Sequence, residues 1–232
     1  MKFGLTQTFE CSYIPAQREQ LLVYVEENDD QNAQYELLIR AGFRRSGEQI
    51  YRPHCPNCNA CESLRIPVHE FRPSKSQKRI LAKNNDVSVQ YRREALPEHY
   101  QLYERYISGR HADGSMYPPS PSQYENFIHC SWNQPLFFEA WHADKLIAVS
   151  VVDELSDAYS ALYTYFAPEL ADRSPGKLMI LKILEHAQNQ AKDFVYLGYQ
   201  IDACQKMNYK KDFYPHERFF ANQWHRITKK GQ

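Results

Sequence analysis

The stretch L-F-F-E-A-W-H-A-D-K-L-I-A-V-S-V-V-D-E-L, from Leu136 to Leu155, decides how this chain is read. Two runs of β-branched and aromatic residues flank His142–Asp144, which predicts two strands around a turn. A-Y-S-A-L-Y-T-Y-F, Ala158 to Phe166, predicts a third strand, rich in Tyr. Arg173-Ser174-Pro175-Gly176 then opens a strongly periodic helical segment that runs to about Lys192. F-V-Y-L-G-Y-Q, Phe194 to Gln200, predicts a fourth strand. Three strands, a helix and a strand place this part of the chain in the α/β (α+β) class.

Working outward, the preceding residues form a smaller, Cys-rich region. The expected division is an N-terminal domain over 1–105, with the Cys cluster and a basic segment, and a second domain over 106–232. In the first, apolar residues from Leu21 to Val25 predict a strand after the turn at Pro15. Asn32 to Ala41 predicts a helix stopped by Gly42, Phe43 to Tyr51 a strand or hairpin arm, and Ser63 to Val68 another strand. Helices are expected over Ser74–Asn84 and Pro97–Arg110, a loop over His111–Ser122, and a helix over Pro121–Ser131 capped by Ser122.

The 232 residues carry 28 Lys plus Arg and 28 Asp plus Glu, a net charge of zero that excludes a uniformly basic coat protein or an acidic disordered tail. The zero is a cancellation. Met1–Arg40 holds three basic against seven acidic residues, a net −4 that includes Glu27 and Asp29. Phe71–Arg93 holds seven against one, near +6, and the segment from Lys206 onward holds seven, Lys230 among them, against two, near +5. No apolar run approaches the roughly 18 residues of a membrane span. Met1–Glu10 lacks the order of a signal peptide, so a cytoplasmic protein with no membrane partner is expected.

Six cysteines in such a chain point to metal rather than disulfides. C-P-N-C-N-A-C places Cys55, Cys58 and Cys61 three residues apart in a Pro/Asn turn, and Cys11, beside its own turn, is the best fourth ligand, ahead of His54. Zinc and an iron–sulfur cluster both take four thiolates, and spacing does not choose between them. Free thiols are the plain alternative. Cys130 and Cys204 read as core residues.

Two basic stretches suit RNA. F-R-P-S-K-S-Q-K-R sets Arg72, Lys75, Lys78 and Arg79 among Ser and Gln, side chains that donate to phosphate. C-Q-K-M-N-Y-K-K-D-F-Y-P interleaves Lys206, Lys210 and Lys211 with Tyr209 and other aromatics, which suits a single-stranded RNA end, the alternative being an amphipathic strand or turn that packs its aromatics inward. The loop R-H-A-D-G-S-M-Y brings Arg110 and His111 together with Asp113, the elements of an anion clamp or a base.

The strand-strand-strand-helix-strand order resembles the core of acyl-CoA N-acetyltransferases, where a helix N-terminus after the third strand binds pyrophosphate. Ser174, Gly176 and Lys177 stand at that place, but the Gly-rich acetyl-CoA loop is absent, so no nucleotide cofactor is expected. Ser174-Pro175-Gly176 reads equally well as a plain helix start. Nearly end to end, the chain resembles the bacterial aspartate/glutamate leucyltransferases of the arginyltransferase family. The resemblance rests on Cys11-Ser12-Tyr13, Gly42-Phe43-Arg44-Arg45-Ser46-Gly47, Tyr51-Arg52-Pro53, Cys58-Asn59-Ala60-Cys61 and Arg65-Ile66-Pro67-Val68. It extends through Phe71 to Arg79, Arg110 to Gly114, Tyr196-Leu197-Gly198-Tyr199 and Lys206-Met207-Asn208-Tyr209-Lys210.

The resemblance implies an acetyltransferase-like (GNAT-like) C-terminal domain that moves leucine from leucyl-tRNA to a protein's N-terminal Asp or Glu, marking it for degradation. It implies leucyl-tRNA and acidic N-termini as partners, and no DNA. Tyr199, Gln200 and Asp202 are the expected catalytic residues, at the end of the core strand. Arg65, Arg110 and His111 are expected to receive the acidic N-terminus. Arg72, Lys75, Lys78, Arg79, Lys206, Tyr209 and Lys210 are expected to hold tRNA, and Cys11, Cys55, Cys58 and Cys61 a metal. The competing expectations are an arginyl-tRNA donor, a non-catalytic zinc-dependent RNA-binding module, and a small-molecule acyltransferase using acyl-CoA.

Overall fold

The computed structural model describes residues 1–26, 30–114 and 116–229. Glu27, Asp29 and Lys230 of the charge pattern and Ser115 of the R-H-A-D-G-S-M-Y loop lie outside the described residues. The first part of the chain forms β1 (Phe3–Leu5), β2 (Phe9–Glu10), β3 (Arg18–Glu19), β4 (Leu21–Tyr24), α1 (Gln31–Arg40), β5 (Arg44–Ser46) and β6 (Gln49–Pro53). Then come β7 (Glu62–Pro67), α2 (Lys75–Lys83), β8 (Ser88–Arg92), α3 (Pro97–Arg110) and α4 (Pro121–Ile128). The remainder is β9 (Leu136–His142), β10 (Lys145–Glu154), β11 (Ala158–Phe166), α5 (Pro175–Asn189), β12 (Phe194–Gln200), β13 (His216–Phe220) and β14 (Gln223–Ile227).

Among the described residues these strands make one large sheet, ordered β14-β13-β7-β12-β11-β10-β9-β8, a small sheet ordered β1-β4-β6-β5, and the β2–β3 pair. The expected order β9-β10-β11-α5-β12 is present, with β12 parallel to β11 as in an acetyltransferase-like fold. Ala143 and Asp144 take the left-handed conformation of a tight hairpin turn. The strand pair from before residue 105 is the part that sequence patterning does not place. β7 lies between β12 and β13, and β8 pairs with β9 at the other edge. Residue 105, the expected division between domains, falls inside α3.

Helix α2 starts where the sequence predicts, for a specific reason. The Ser74 hydroxyl accepts from the Gln77 backbone and Gln77 Oε1 accepts from the Ser74 backbone at 2.8 Å, a capping box. Gln77 is buried and its amide also donates to the Asp212 carbonyl. Two of the polar side chains read as phosphate donors are therefore spent on the helix. Ser120, not Ser122, caps α4, because Pro121 takes the first helical position, and the helix stops at Ile128 rather than Ser131.

The core has three parts. One lies between the large sheet and α5, with Met179, Ile183, Phe138 and Leu197 buried, and Ile80 and Leu81 of α2 packed against it. A second, rich in Tyr, lies under α3 and α4 on the opposite face. The third joins α1 and the small sheet to the large one through Tyr35, Phe43, Ile50 and Tyr196. No helix among the described residues is long and apolar enough to cross a membrane.

A bulge in β12 sets the site. Tyr196 pairs with Arg65 and Gly198 with Leu64, leaving Leu197 extra. Gly198 has φ +80°, and a Cβ there would lie 3.6 Å from the Arg44 guanidinium. The extra residue turns Tyr199 toward the small sheet, where its hydroxyl donates to the carbonyls of Gly42 and Tyr51. Gly198→Ala is expected to cost about 1–2 kcal/mol from the left-handed conformation alone. Chemical denaturation checks it, and an unchanged midpoint would show that the bulge does not require glycine.

Candidate active site

Strands β11 and β12 are bonded to each other only over Ala158–Ser160 and Phe194–Tyr196. Beyond that, β11 continues to Phe166 against β10, and β12 continues to Gln200 against β7. The two strands part into a fork. Two cations enter it from elsewhere in the chain. Arg44, from β5, donates to Ser160 Oγ at 3.0 Å and to the Ala161 carbonyl at 2.5 Å. Lys210, from a 3-10 turn over Asn208–Asp212, donates to the Tyr199 carbonyl at 2.6 Å. Arg44 is 4% and Lys210 5% exposed. Burial, and then the Arg44 charge, push the Lys210 ammonium down to about 7.

At the end of β12, Gln200 is fully buried. Its Nε2 donates to Asp202 Oδ1 at 2.9 Å and toward the Asn208 carbonyl at 3.4 Å, while its Oε1 accepts from no group among the described residues. Partial burial opposes ionisation of Asp202. Hydrogen bonds from Arg218 and Gln200, with the Arg218 and Lys211 charges, outweigh it and hold the carboxyl below its ordinary value. On β11, burial first, then the neighbouring phenols of Tyr106, Tyr103, Tyr13 and Tyr209, raises the Tyr163 phenol.

Residues 98–220 match the family described as arginine-tRNA-protein transferase, C terminus, and residues 9–79 match its N terminus. The aspartate/glutamate leucyltransferase of Pseudoalteromonas atlantica is 51% identical over 230 residues, covering 99% of each chain. That of Aeromonas hydrophila is 50% identical over 232 residues, covering 100% of this chain and 98% of its own. The chain belongs to the arginine-tRNA-protein transferase family. Among solved structures, L-PGS from Bacillus licheniformis has a TM-score of 0.50 at 9% identity, covering 77% of this chain and 52% of its own, a likeness of fold.

In this transferase the residues expected at the site fall into separate groups. Gln200 and Asp202 stand together at the strand end. Tyr199 is beside them, but its hydroxyl is tied between two carbonyls and burial raises it well above its ordinary range. It offers the fork its carbonyl oxygen instead. Lys210, expected on an RNA surface, is turned inward by the 3-10 turn and lies in the fork. Tyr209 beside it is half-buried against the core, and burial pushes its phenol up to about 12.

Arg65 is engaged within the sheet. Its guanidinium lies 3.8 Å from the Phe194 ring centre and 4.2 Å from that of Trp224, and pairs with Glu217 at 2.7 Å. This stacked pair fastens β7 to β13, so Arg65 is not placed to receive an acidic N-terminus. Arg110 lies over the Phe166 ring at 5.3 Å. His111 Nε2 shares a hydrogen bond with the Tyr106 hydroxyl at 3.1 Å, and burial, then the Lys206 and Arg110 charges, lowers its pKa. Lys206 pairs with Asp113 at 3.0 Å, which ties the Arg110–Gly114 loop to the loop after β12.

The expected RNA cations of α2 form a surface of their own. Arg72, Lys75 and Arg79, with Lys177 and Lys229, line a cleft of about 980 Å³ that also contains Glu70 and Asp212. Lys78 is exposed on the same helix. Lys177, read as a candidate anion ligand at the start of α5, pairs with Asp212 at 3.2 Å. Ser174 there is left-handed and its side chain makes no cap.

The four cysteines of the expected metal set gather in one corner. Burial first, then Cys55, Cys11, Glu19 and Cys58, pushes the Cys61 thiol up to about 12. Cys11 Sγ accepts from the Ile14 backbone at 3.5 Å, and the backbones of Cys55 and Cys58 pair in an isolated antiparallel β-bridge while their thiols are free. Yet among the described residues no group of three or more His, Cys, Asp or Glu side chains is arranged to hold a metal ion. The donor set suits a soft cation, but its placement here does not make a site.

The residue that sequence reading passed over is Arg44. Its signal was present in G-F-R-R-S-G: two adjacent arginines in a strand, with no acidic residue among them. Adjacent strand residues face opposite ways. Arg44 therefore enters the fork, while Arg45 turns to Asp153.

Proposed function

We propose that this chain transfers leucine from leucyl-tRNA to the α-amine of a protein's N-terminal Asp or Glu, in the cytoplasm, so marking that protein for degradation. The carrying observation is half identity over the whole chain to relatives named for that reaction. The fork supports it, since a parted core strand gives an acyl group and an incoming amine a common floor.

The ester of an aminoacyl-tRNA is already activated, so the enzyme has mainly to align two substrates. The neutral amine attacks the leucyl carbonyl carbon. The C–N bond forms, the C–O bond to the ribose breaks, and the proton leaving the amine ends on the ribose oxygen. Gln200 orients the amine: both Nε2 hydrogens are engaged, so Oε1 is the end left to accept an amine N–H. The basic cleft beside α2 holds tRNA phosphates, with Arg72, Lys75 and Arg79 supplying the charge.

Incubating the protein with labelled leucyl-tRNA and peptides that begin with Asp, Glu or Ala tests this reading. Label is expected on the acidic peptides only. Arginyl-tRNA, run in parallel, is expected to give none. Salt-sensitive RNA binding without any product would instead support a binding module.

A further inference from the structure

We propose that Arg44 and Lys210 together bind the side-chain carboxylate of the acceptor's N-terminal residue. The inference rests on the transfer reaction proposed above and assigns it a specificity site.

A buried charge is normally paired, because stripping it of water is costly. This chain follows that rule elsewhere. Arg45 is fully buried and held by both oxygens of Asp153, and Glu139 is met by His99 and Arg92. Arg44 and Lys210 depart from it. Among the described residues neither pairs with an Asp or Glu. Their acceptors are neutral: Ser160 Oγ and the Ala161 carbonyl for Arg44, the Tyr199 carbonyl and Met207 Sδ for Lys210. Asp153 is reached from Arg44 only through Ser160 and Tyr35, and Arg45 already occupies it.

The two side chains donate to the facing strands β11 and β12 at the fork, and the Arg44 charge acts on Lys210, so the two cations repel each other. An anion between them relieves that repulsion and supplies the missing partner. Arg44 keeps N–H groups beyond the two hydrogen bonds that fix it, and a guanidinium fork meets a carboxylate in two places. Lys210 adds a point charge on a flexible stem, which tolerates the single methylene separating Asp from Glu. The same pair disfavours the protonated α-amine held beside it, which leaves more of that amine in the attacking form.

The test compares wild type with Lys210→Met, Lys210→Arg and Arg44→Lys. Peptides beginning with Asp, Glu, Asn or Gln are titrated without tRNA by fluorescence anisotropy. Leucyl-tRNA affinity and thermal midpoint are measured alongside. Wild type is expected to prefer each acid over its amide. In K210M the acid peptides should weaken about tenfold or more while the amides and leucyl-tRNA stay within threefold, and K210R should restore part of the preference. R44K removes the two-point contact and should weaken acid binding on its own, so the proposal is testable even if K210M does not fold.

An acid preference kept in the folded variants overturns the proposal. So does a loss confined to leucyl-tRNA, which would make the pair a phosphate site. Wild type that binds acid peptides through this pair but transfers no leucine would sink the transfer reading and leave the carboxylate site standing.

Discussion

Asp153→Ala is expected to lower the unfolding free energy by about 3–5 kcal/mol, the usual cost of leaving a buried ion without its partner. Both side chains are fully buried, with Arg45 Nε 2.8 Å from Oδ2 and Nη2 2.5 Å from Oδ1. Asp153 Oδ2 also accepts from the Tyr35 hydroxyl at 3.1 Å, so α1 is fastened to β10 by the same carboxylate. Arg45 reaches on to the carbonyls of Gly47 and Ile128. Removing Asp153 thus strands a guanidinium at the meeting point of α1, α4 and both sheets. For a chain of this size the midpoint of thermal unfolding should fall by about 6–20 °C. A fall under about 2 °C would show that the pair is not what joins the sheets. The double change Arg45→Met with Asp153→Leu should recover much of the loss, since an apolar pair of similar volume carries no desolvation penalty.

Gln200→Leu is expected to lower kcat about 100-fold, near 2.7 kcal/mol of transition-state stabilisation. Leu nearly preserves the volume but removes a buried acceptor at the end of β12 that has no partner among the described residues. An unsatisfied buried acceptor is a standing cost that a substrate N–H would relieve. The effect should appear in single-turnover leucyl transfer, with the affinity for leucyl-tRNA little changed. A kcat within threefold of wild type would remove Gln200 from the reacting centre and leave it a support for Asp202 and the following loop.

Much of the fold was open to local reading. The runs from Leu136 to Phe166 have the composition of strands, and Pro97 and Pro175 mark helix starts, so α3, α5 and the hairpin fall within a few residues of expectation. What local patterning does not carry is pairing. Nothing in E-S-L-R-I-P says that Pro67 lies opposite Phe194, because register is set by distant partners. The site divides the same way. That Gln200 and Asp202 lie together follows from their place at the end of a strand. Lys210 was misplaced because a lysine between aromatics reads the same whether its turn faces solvent or a cavity. Arg65 was misplaced because its stacking partners, Phe194 and Trp224, are remote in sequence. Arg44 is not legible in the same way, because its partners on β11, Ser160 and Ala161, lie more than a hundred residues away.

The position of β7 has a consequence for how the protein is made. Its neighbours in the large sheet, β12 and β13, leave the ribosome well over a hundred residues after it. At about 5–20 residues per second the β7 segment waits roughly 10–30 s for both, with its edges unpaired. During that interval the nascent chain presents an apolar strand to other nascent chains and to chaperones. A fragment comprising residues 98–220 would inherit the converse defect, with β12 and β13 flanking an empty slot. Such a piece should precipitate alone and regain solubility when co-expressed with the preceding segment, so the two halves of this chain are obliged to travel as one inheritance unit.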